Sequence, residues 1–204
     1  MKIGIDFDNT IVNYTGVFYQ IALEKNLIPE NIDKSKSSVR DYLRKEGREK
    51  DWTFLQGYVY GACMDQASPY EGIQSFISWC STQQIPCFIV SHKTQYPYSG
   101  YKYDLHTSSK KWLKKKPVLS SVPVFFETTL QKKLKKIEEL QVDYFIDDLP
   151  ELFLEPNFPQ KPQKILFDSS NQHSENTLWL KFCNWKDLLS YFQKKCCKNH
   201  LSLS

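Results

Sequence analysis

Lys2-Ile3-Gly4-Ile5-Asp6-Phe7-Asp8-Asn9-Thr10 is the stretch on which the reading of the chain turns. Its first half is a short apolar run. Two carboxylates follow, two positions apart, with a hydroxyl two positions further on. A continuous apolar run reads as a strand over residues 2–7, covered on both faces as in a parallel sheet. Bare carboxylates at the mouth of such a strand are costly to bury unless a cation or hydrogen-bond donors compensate them. The stretch therefore calls for a metal or phosphate site, and the remaining sequence must supply the missing parts.

Outward from it, strand and helix patterns alternate. Residues 15–25 place Val17, Phe18, Ile21 and Ala22 on one helical side. Residues 29–51 are polar and charged apart from Val39, Tyr42 and Leu43. Trp52, Leu55, Tyr58 or Val59, and Ala62 or Cys63 then repeat at helical spacing. Residues 15–68 thus read as a helical insertion, in which Arg40, Arg44 and Arg48 form a solvated helix face. Pro69-Tyr70-Glu71-Gly72 is a break, and Ile73, Phe76, Ile77 and Cys80 form the next helical stripe. Cys87-Phe88-Ile89-Val90 is a second buried strand, ending in Ser91-His92-Lys93-Thr94. Tyr96, Tyr98, Tyr101 and Tyr103 fall in a loop, and Asp104 can cap a following helix. Val122-Pro123-Val124-Phe125-Phe126 is a third strand. Thr128 or Thr129 caps a lysine-rich helix with the stripe Leu130, Leu134, Ile137 and Leu140. Val142-Asp143-Tyr144-Phe145-Ile146 is a fourth strand ending in Asp147-Asp148, and Lys164-Ile165-Leu166-Phe167 is a fifth. Trp185, Leu188, Leu189 and Phe192 make a C-terminal amphipathic helix, and residues 196–204 read as a frayed tail. This alternation predicts an α/β fold with a doubly wound parallel sheet. Ligands in such sheets bind at the carboxyl ends of the strands.

Bulk properties narrow the function classes. A chain of 204 residues suits one domain with a small appended subdomain. The net charge of +4, from 27 basic and 23 acidic residues, favours anionic ligands only weakly. The Lys110–Lys116 and Lys132–Lys136 clusters read as solvated helix faces, so no nucleic-acid polymer is expected. Six scattered cysteines without a CxxC pair read as small buried hydrophobes in a reducing, cytoplasmic setting. No apolar run is long enough to span a membrane, and Asp6 and Asp8 interrupt any signal-peptide core.

Asp6-Phe7-Asp8-Asn9-Thr10 matches the motif DxDxT, Ser91 supplies a hydroxyl at the end of an apolar strand, and Asp147-Asp148 supplies paired acids at the end of another. In this order the set resembles the haloacid dehalogenase superfamily of aspartate-dependent phosphotransferases, over residues 2 to about 170. The resemblance implies a core of residues 1–14 and 69–195 with a Rossmann-like sheet. Residues 15–68 would be a small helical (C1-type) cap that closes over the catalytic edge. It implies that Asp6 is the nucleophile, forming an aspartyl-phosphate, and that Asp8 is the general acid and base. It implies Mg2+ held by the Asp6 carboxylate, the Asp8 backbone carbonyl and Asp148, with Asp147 at one remove; which adjacent acid touches the metal stays open. Thr10, Ser91 and a lysine would hold phosphate oxygens. Lys133, 14 residues before Asp147, has the spacing of compact members, with Lys132 as the alternative. His92 and Lys93 are candidate lining of the substrate pocket.

The expected activity is that of a phosphomonoesterase acting on a small phosphorylated metabolite such as a sugar phosphate. A nucleotidase acting on nucleoside monophosphates is the second expectation, and a catalytically silent binding protein on the same fold the third. Oligomeric state is not legible in the sequence.

Overall fold

The computed structural model describes the backbone of residues 1–201 and the side chains of residues 1–197. In chain order its elements begin with β1 (Ile3–Ile5), β2 (Val12–Asn13), α1 (Val17–Glu24), α2 (Lys36–Lys45) and α3 (Glu49–Gly61). Then come β3 (Ser68–Pro69), α4 (Ile73–Thr82), β4 (Cys87–His92), α5 (Leu105–Lys114), α6 (Pro117–Ser120) and β5 (Val124–Glu127). The chain continues through α7 (Leu130–Leu140), β6 (Tyr144–Asp147), α8 (Pro150–Leu154), β7 (Gln163–Phe167), β8 (Leu180–Phe182) and α9 (Trp185–Leu201).

Six strands form one parallel sheet in the order β5-β4-β1-β6-β7-β8. The chain builds outward from β1 to β4 and β5, then crosses back to place β6 on the other flank of β1. The reversal puts the crevice at the carboxyl end of β1, the position where ligands bind in open α/β sheets. Ile3 and Ile5 face one apolar cluster with Ile89, Ile146, Ile165 and Trp185. Val90, Phe145 and Leu166 face a second cluster, closed by Leu134 and Ile137 of α7 and by Phe153 of α8. A doubly wound sheet needs both clusters. Between them Gly4 has no room for a side chain, because a Cβ would lie 2.5 Å from the Phe145 ring.

The polar stretch of the insertion folds a helix of its own. Ser35 caps α2 by accepting the Ser38 N–H at 3.0 Å, and Val39 and Leu43 are its buried side. Helices α1, α2 and α3 pack on one another. The ends of this segment are tied together by an antiparallel ribbon, with Val12 opposite Pro69 and Asn13 opposite Ser68.

Two expectations are corrected. The sheet has a sixth strand, β8, half-buried and with Lys181 at its centre, too short to show a period of two. Helix α9 continues to Leu201, through most of the stretch read as a frayed tail; residues 194–201 contain neither Pro nor Gly to stop it. Residues 202–204 of that tail lie outside the described residues. No helix among the described residues is long and apolar enough to cross a membrane.

Candidate active site

Asp6 leaves β1 at the point where the strand order reverses. Its N–H donates to the Ile146 carbonyl at 2.8 Å, and the pairing of Ile5 with Ile146 sets Asp6 level with Asp147. The chain then turns sharply. Ile11 and Val12 donate to the Phe7 carbonyl at 3.0 and 2.9 Å, and Asn9 sits at φ 59°. Asparagine tolerates this left-handed geometry better than most residues. Phe7 is buried edge-on against Trp112 and Phe126, with ring centroids 5.6 and 5.2 Å away. From α9, the Trp185 indole N–H donates to the Thr10 carbonyl at 3.1 Å. The loop bearing the acids is therefore held from several sides.

Helix α7 delivers Lys133. Thr129 caps this helix by accepting the Lys132 N–H at 3.2 Å. The Lys133 ammonium, 3% exposed, donates to Asp6 Oδ1 and to Asp147 Oδ2, each at 2.6 Å. Lys132 stays exposed and donates to Thr128 Oγ1 at 3.3 Å. Lys135 and Lys136 pair with Glu139 on the outer face. Of the two lysines left open by spacing, Lys133 is the one at the acids.

Asp6, Asp147 and Asp148 each offer a carboxylate oxygen, all within 4.8 Å of one another. Burial pushes the Asp6 carboxyl up to about 7 despite Lys133, with Asp147 and Asp8 adding to the rise. Burial also pushes Asp148 well above the carboxylate range, followed by Asp147 and Asp6, against Lys36 and Lys133. Burial lowers Lys133, but Asp147 and Asp6 outweigh it and hold the ammonium charged. Three carboxyl groups thus crowd one buried ammonium, and burial and mutual repulsion oppose their full ionisation unless a further cation joins them. An all-oxygen donor set of this kind fits a hard divalent cation such as Mg2+. Asp147 is already engaged, by Lys133 and by the Leu149 N–H at 3.0 Å to Oδ1. Thr10 is fully buried and its hydroxyl makes a long contact, 3.4 Å, to Asp148 Oδ1.

Asp8 is not part of this cluster. Its Oδ1 accepts the Tyr14 hydroxyl at 2.6 Å and its Oδ2 accepts the Lys93 ammonium at 2.5 Å. Lys93, read from sequence as candidate pocket lining, is 4% exposed. Its backbone is fixed by the Glu127 carbonyl at 2.8 Å and by His106 Nε2 at 2.7 Å, and its ammonium lies over the Tyr60 ring at 4.8 Å. Ser91 is buried in β4 opposite Phe126, and His92 beside it is exposed.

Tyr14, Tyr60 and Lys36 escaped the sequence reading. The Lys36 ammonium donates to the Tyr60 hydroxyl at 2.7 Å. Burial pulls Lys36 down, but Tyr60, Asp148 and Asp8 raise it above the ordinary lysine value. Tyr14 carried one usable signal, since it lies on the same tight loop as the acids. Lys36 and Tyr60 carried none, because their meeting depends on how α2 packs against α3.

A cavity of about 770 Å³ opens beside Asp148, between the first turn of α2 and the loop after β7. Arg40 lines it, unlike Arg44 and Arg48, which pair locally with Glu49 and Asp51. The tyrosine-rich loop lies elsewhere, against α3. There Gly57 and Gly61 leave space for Pro97 and Tyr103, each of which has an atom 2.5 Å from where a Cβ would stand.

Comparison by sequence finds no matching family model and no matching curated protein. Comparison by structure finds the same fold in solved structures of haloacid dehalogenase superfamily hydrolases. A predicted phosphatase from Clostridium acetobutylicum superposes with a TM-score of 0.61 at 15% identity, covering 95% of this chain and 98% of that one. A HAD-superfamily hydrolase from Ehrlichia chaffeensis gives 0.56 at 14% identity, covering 95% and 96%. A HAD phosphatase from Thermococcus onnurineus gives 0.52 at 13%, covering 94% and 98%. The fold is that of the HAD-like hydrolases over nearly the whole chain.

Proposed function

We propose that the protein is a magnesium-dependent phosphomonoesterase that works through an aspartyl-phosphate on Asp6 and acts on a small phosphorylated metabolite. One observation carries the reading: two carboxylates two residues apart have separate partners. Asp6 shares Lys133 with Asp147 inside a three-carboxylate cluster, while Asp8 stands outside it on Tyr14 and Lys93. That separation suits a nucleophile and a proton carrier working side by side.

In the first step Asp6 attacks phosphorus, the bond to the leaving oxygen breaks, and Asp8 gives that oxygen a proton. Water then attacks the aspartyl-phosphate, Asp8 takes its proton, and inorganic phosphate leaves as Asp6 is regenerated. Thr10 and Ser91 hold phosphoryl oxygens, and Lys133 offsets their charge. Asp6, Asp148 and the Asp8 carbonyl would hold magnesium, with Asp147 behind them, and the ion would add positive charge at the transferring group. Residues 15–68 act as a cap over the core of residues 1–14 and 69–195, enclosing the substrate and excluding water.

A nucleoside monophosphate is the second substrate class, favoured by an aromatic side chain, Tyr70, in the lining of the cavity. A panel of p-nitrophenyl phosphate, sugar phosphates and nucleoside monophosphates, assayed with magnesium, tests both. Broad release of phosphate, abolished in Asp6→Asn, is the expected result. Rates confined to nucleoside monophosphates select the second reading. No release from any ester overturns the enzymatic reading and leaves a silent binding protein.

A further inference from the structure

The cavity beside Asp148 is larger than a phosphoryl group requires, and its volume is that of a site for a whole small molecule. Its two walls differ in charge. The insertion side presents Ser35, Lys36, Ser37 and Arg40, two cations and two hydroxyls. Lys36 and Arg40 stand one helical turn apart, so both lie on the same side of α2. The first turn of α2 contains no acid, and Lys36 stands at a helix N-terminus, where a cation is electrostatically disfavoured. Positive charge is thus concentrated on this wall against the preference of the helix.

The partners of these groups compensate that charge only in part: Arg40 pairs with Asp41 through one nitrogen, and Lys36 makes no direct ion pair among the described residues. Lys36 meets the neutral Tyr60 hydroxyl, and its ammonium lies over the Phe18 ring at 5.3 Å. Arg40 donates only its Nε, to Asp41 at 2.8 Å, and its terminal nitrogens have no partner among the described residues. On the opposite wall the acids are Asp148, Glu151 and Asp168. Asp148 belongs to the carboxylate cluster and Glu151 is exposed. Asp168 is turned into its own loop, accepting the Gln172 and His173 N–H groups at 3.0 and 2.8 Å.

We infer that the substrate carries a second anionic group on its leaving-group side, a carboxylate or a second phosphate, received by Lys36 and Arg40 with the hydroxyls of Ser35 and Ser37. The inference rests on the phosphatase reading for the position of the first phosphate. Lys36 stands on the side of the acids: it donates to Tyr60, and the Tyr60 ring lies 4.8 Å from the Lys93 ammonium that holds Asp8. Arg40 is one turn further out and offers the planar fork that suits a carboxylate or phosphate.

Matched substrates test this. 3-Phosphoglycerate is compared with glycerol 3-phosphate for the carboxylate. Fructose 1,6-bisphosphate is compared with fructose 6-phosphate for the second phosphate. Wild-type kcat/KM should favour the doubly anionic member of at least one pair by about tenfold or more, the worth of one charge-assisted hydrogen bond. The favoured pair tells carboxylate from phosphate. In Arg40→Ala and Lys36→Met that ratio should fall toward one, while Arg44→Ala, paired with Glu49 and outside the cavity lining, should keep it. Equal use of both members by wild type, or a ratio unchanged in Arg40→Ala, overturns the inference. Thermal shifts with the same four compounds give a readout independent of turnover. A shift specific to the doubly anionic compounds, lost in Arg40→Ala, with no phosphate release from any ester, sinks the phosphatase reading and keeps the second-anion site. Absence of both turnover and selective shifts overturns both.

Discussion

Replacing Lys133 by methionine removes the one buried ammonium among the described acids of the cluster. The lysine makes two ion-pair hydrogen bonds of 2.6 Å, to side chains that are 7% and 0% exposed. Removing one partner of a buried ion pair costs about 3–5 kcal/mol, because the other charge is left uncompensated. In a domain of this size each kcal/mol is worth about 2–4 °C, so Lys133→Met should melt about 6–20 °C below wild type in metal-free buffer. Methionine has similar length, so lost packing contributes little. The neighbouring Lys132→Met serves as control. That side chain is exposed, and its loss should fall within about 0.5 kcal/mol. Magnesium at a hundredfold excess over its Kd should stabilise Lys133→Met by about 2.7 kcal/mol, and more than it stabilises wild type. Differential scanning calorimetry with and without magnesium measures all of this. If Lys133→Met melts with wild type in metal-free buffer, or if magnesium gives it no added stability, the electrostatic account of the cluster is wrong.

Other outcomes follow from the same geometry. Asp8→Asn should lower kcat for p-nitrophenyl phosphate by about 10²–10⁴ while retaining the native circular dichroism spectrum. Gly61→Ala would drive a Cβ into Tyr103, 2.5 Å away, and overpacking of this kind costs about 1–3 kcal/mol, read as a lower Tm. Asp104 caps α5 through the Thr107 N–H at 2.8 Å, and that bond holds its carboxyl below the usual range. A depressed carboxyl stabilises the fold above its unfolded value, about 3.9, and loses that contribution as pH falls through the lower folded value. The stability gap between wild type and Asp104→Asn should therefore be full at neutral pH and shrink below about pH 4, which urea titrations at several pH values will show.

The parts of the fold that were legible are those set by local chemistry. The run Ile3-Gly4-Ile5 reads as a central strand because no polar residue interrupts it, and the structure buries it on both faces. Asp104, and Thr129 as one of two adjacent threonines, were legible as caps because a short oxygen-bearing side chain before a helical stripe has few other uses. Strand β8 was not, since three half-buried residues carry no period. Helix α2 was hidden because only Val39 and Leu43 mark its buried side. The acids Asp6, Asp8, Asp147 and Asp148 could be located as strand-end residues, and the candidate site forms around them. Their partners were harder to read. Lys93 reaches Asp8 across 85 positions, Tyr14 meets it through a turn in which Asn9 takes a positive φ, and Lys36 depends on helix packing. Contacts of that kind are written in register and packing, which no local pattern carries. The loop of Asp168 and His173 gave no signal for the same reason.

The central claim is that Asp6 becomes covalently phosphorylated and that Asp8 then releases it. Acid-quenched mixtures of protein, magnesium and p-nitrophenyl phosphate, digested and examined by mass spectrometry, test it directly. The account predicts phosphate on the peptide that carries Asp6, more of it in Asp8→Asn than in wild type, and none, with no turnover, in Asp6→Asn. Turnover that survives in Asp6→Asn, or a wild-type enzyme that turns over while Asp8→Asn accumulates no phosphorylated peptide, contradicts it.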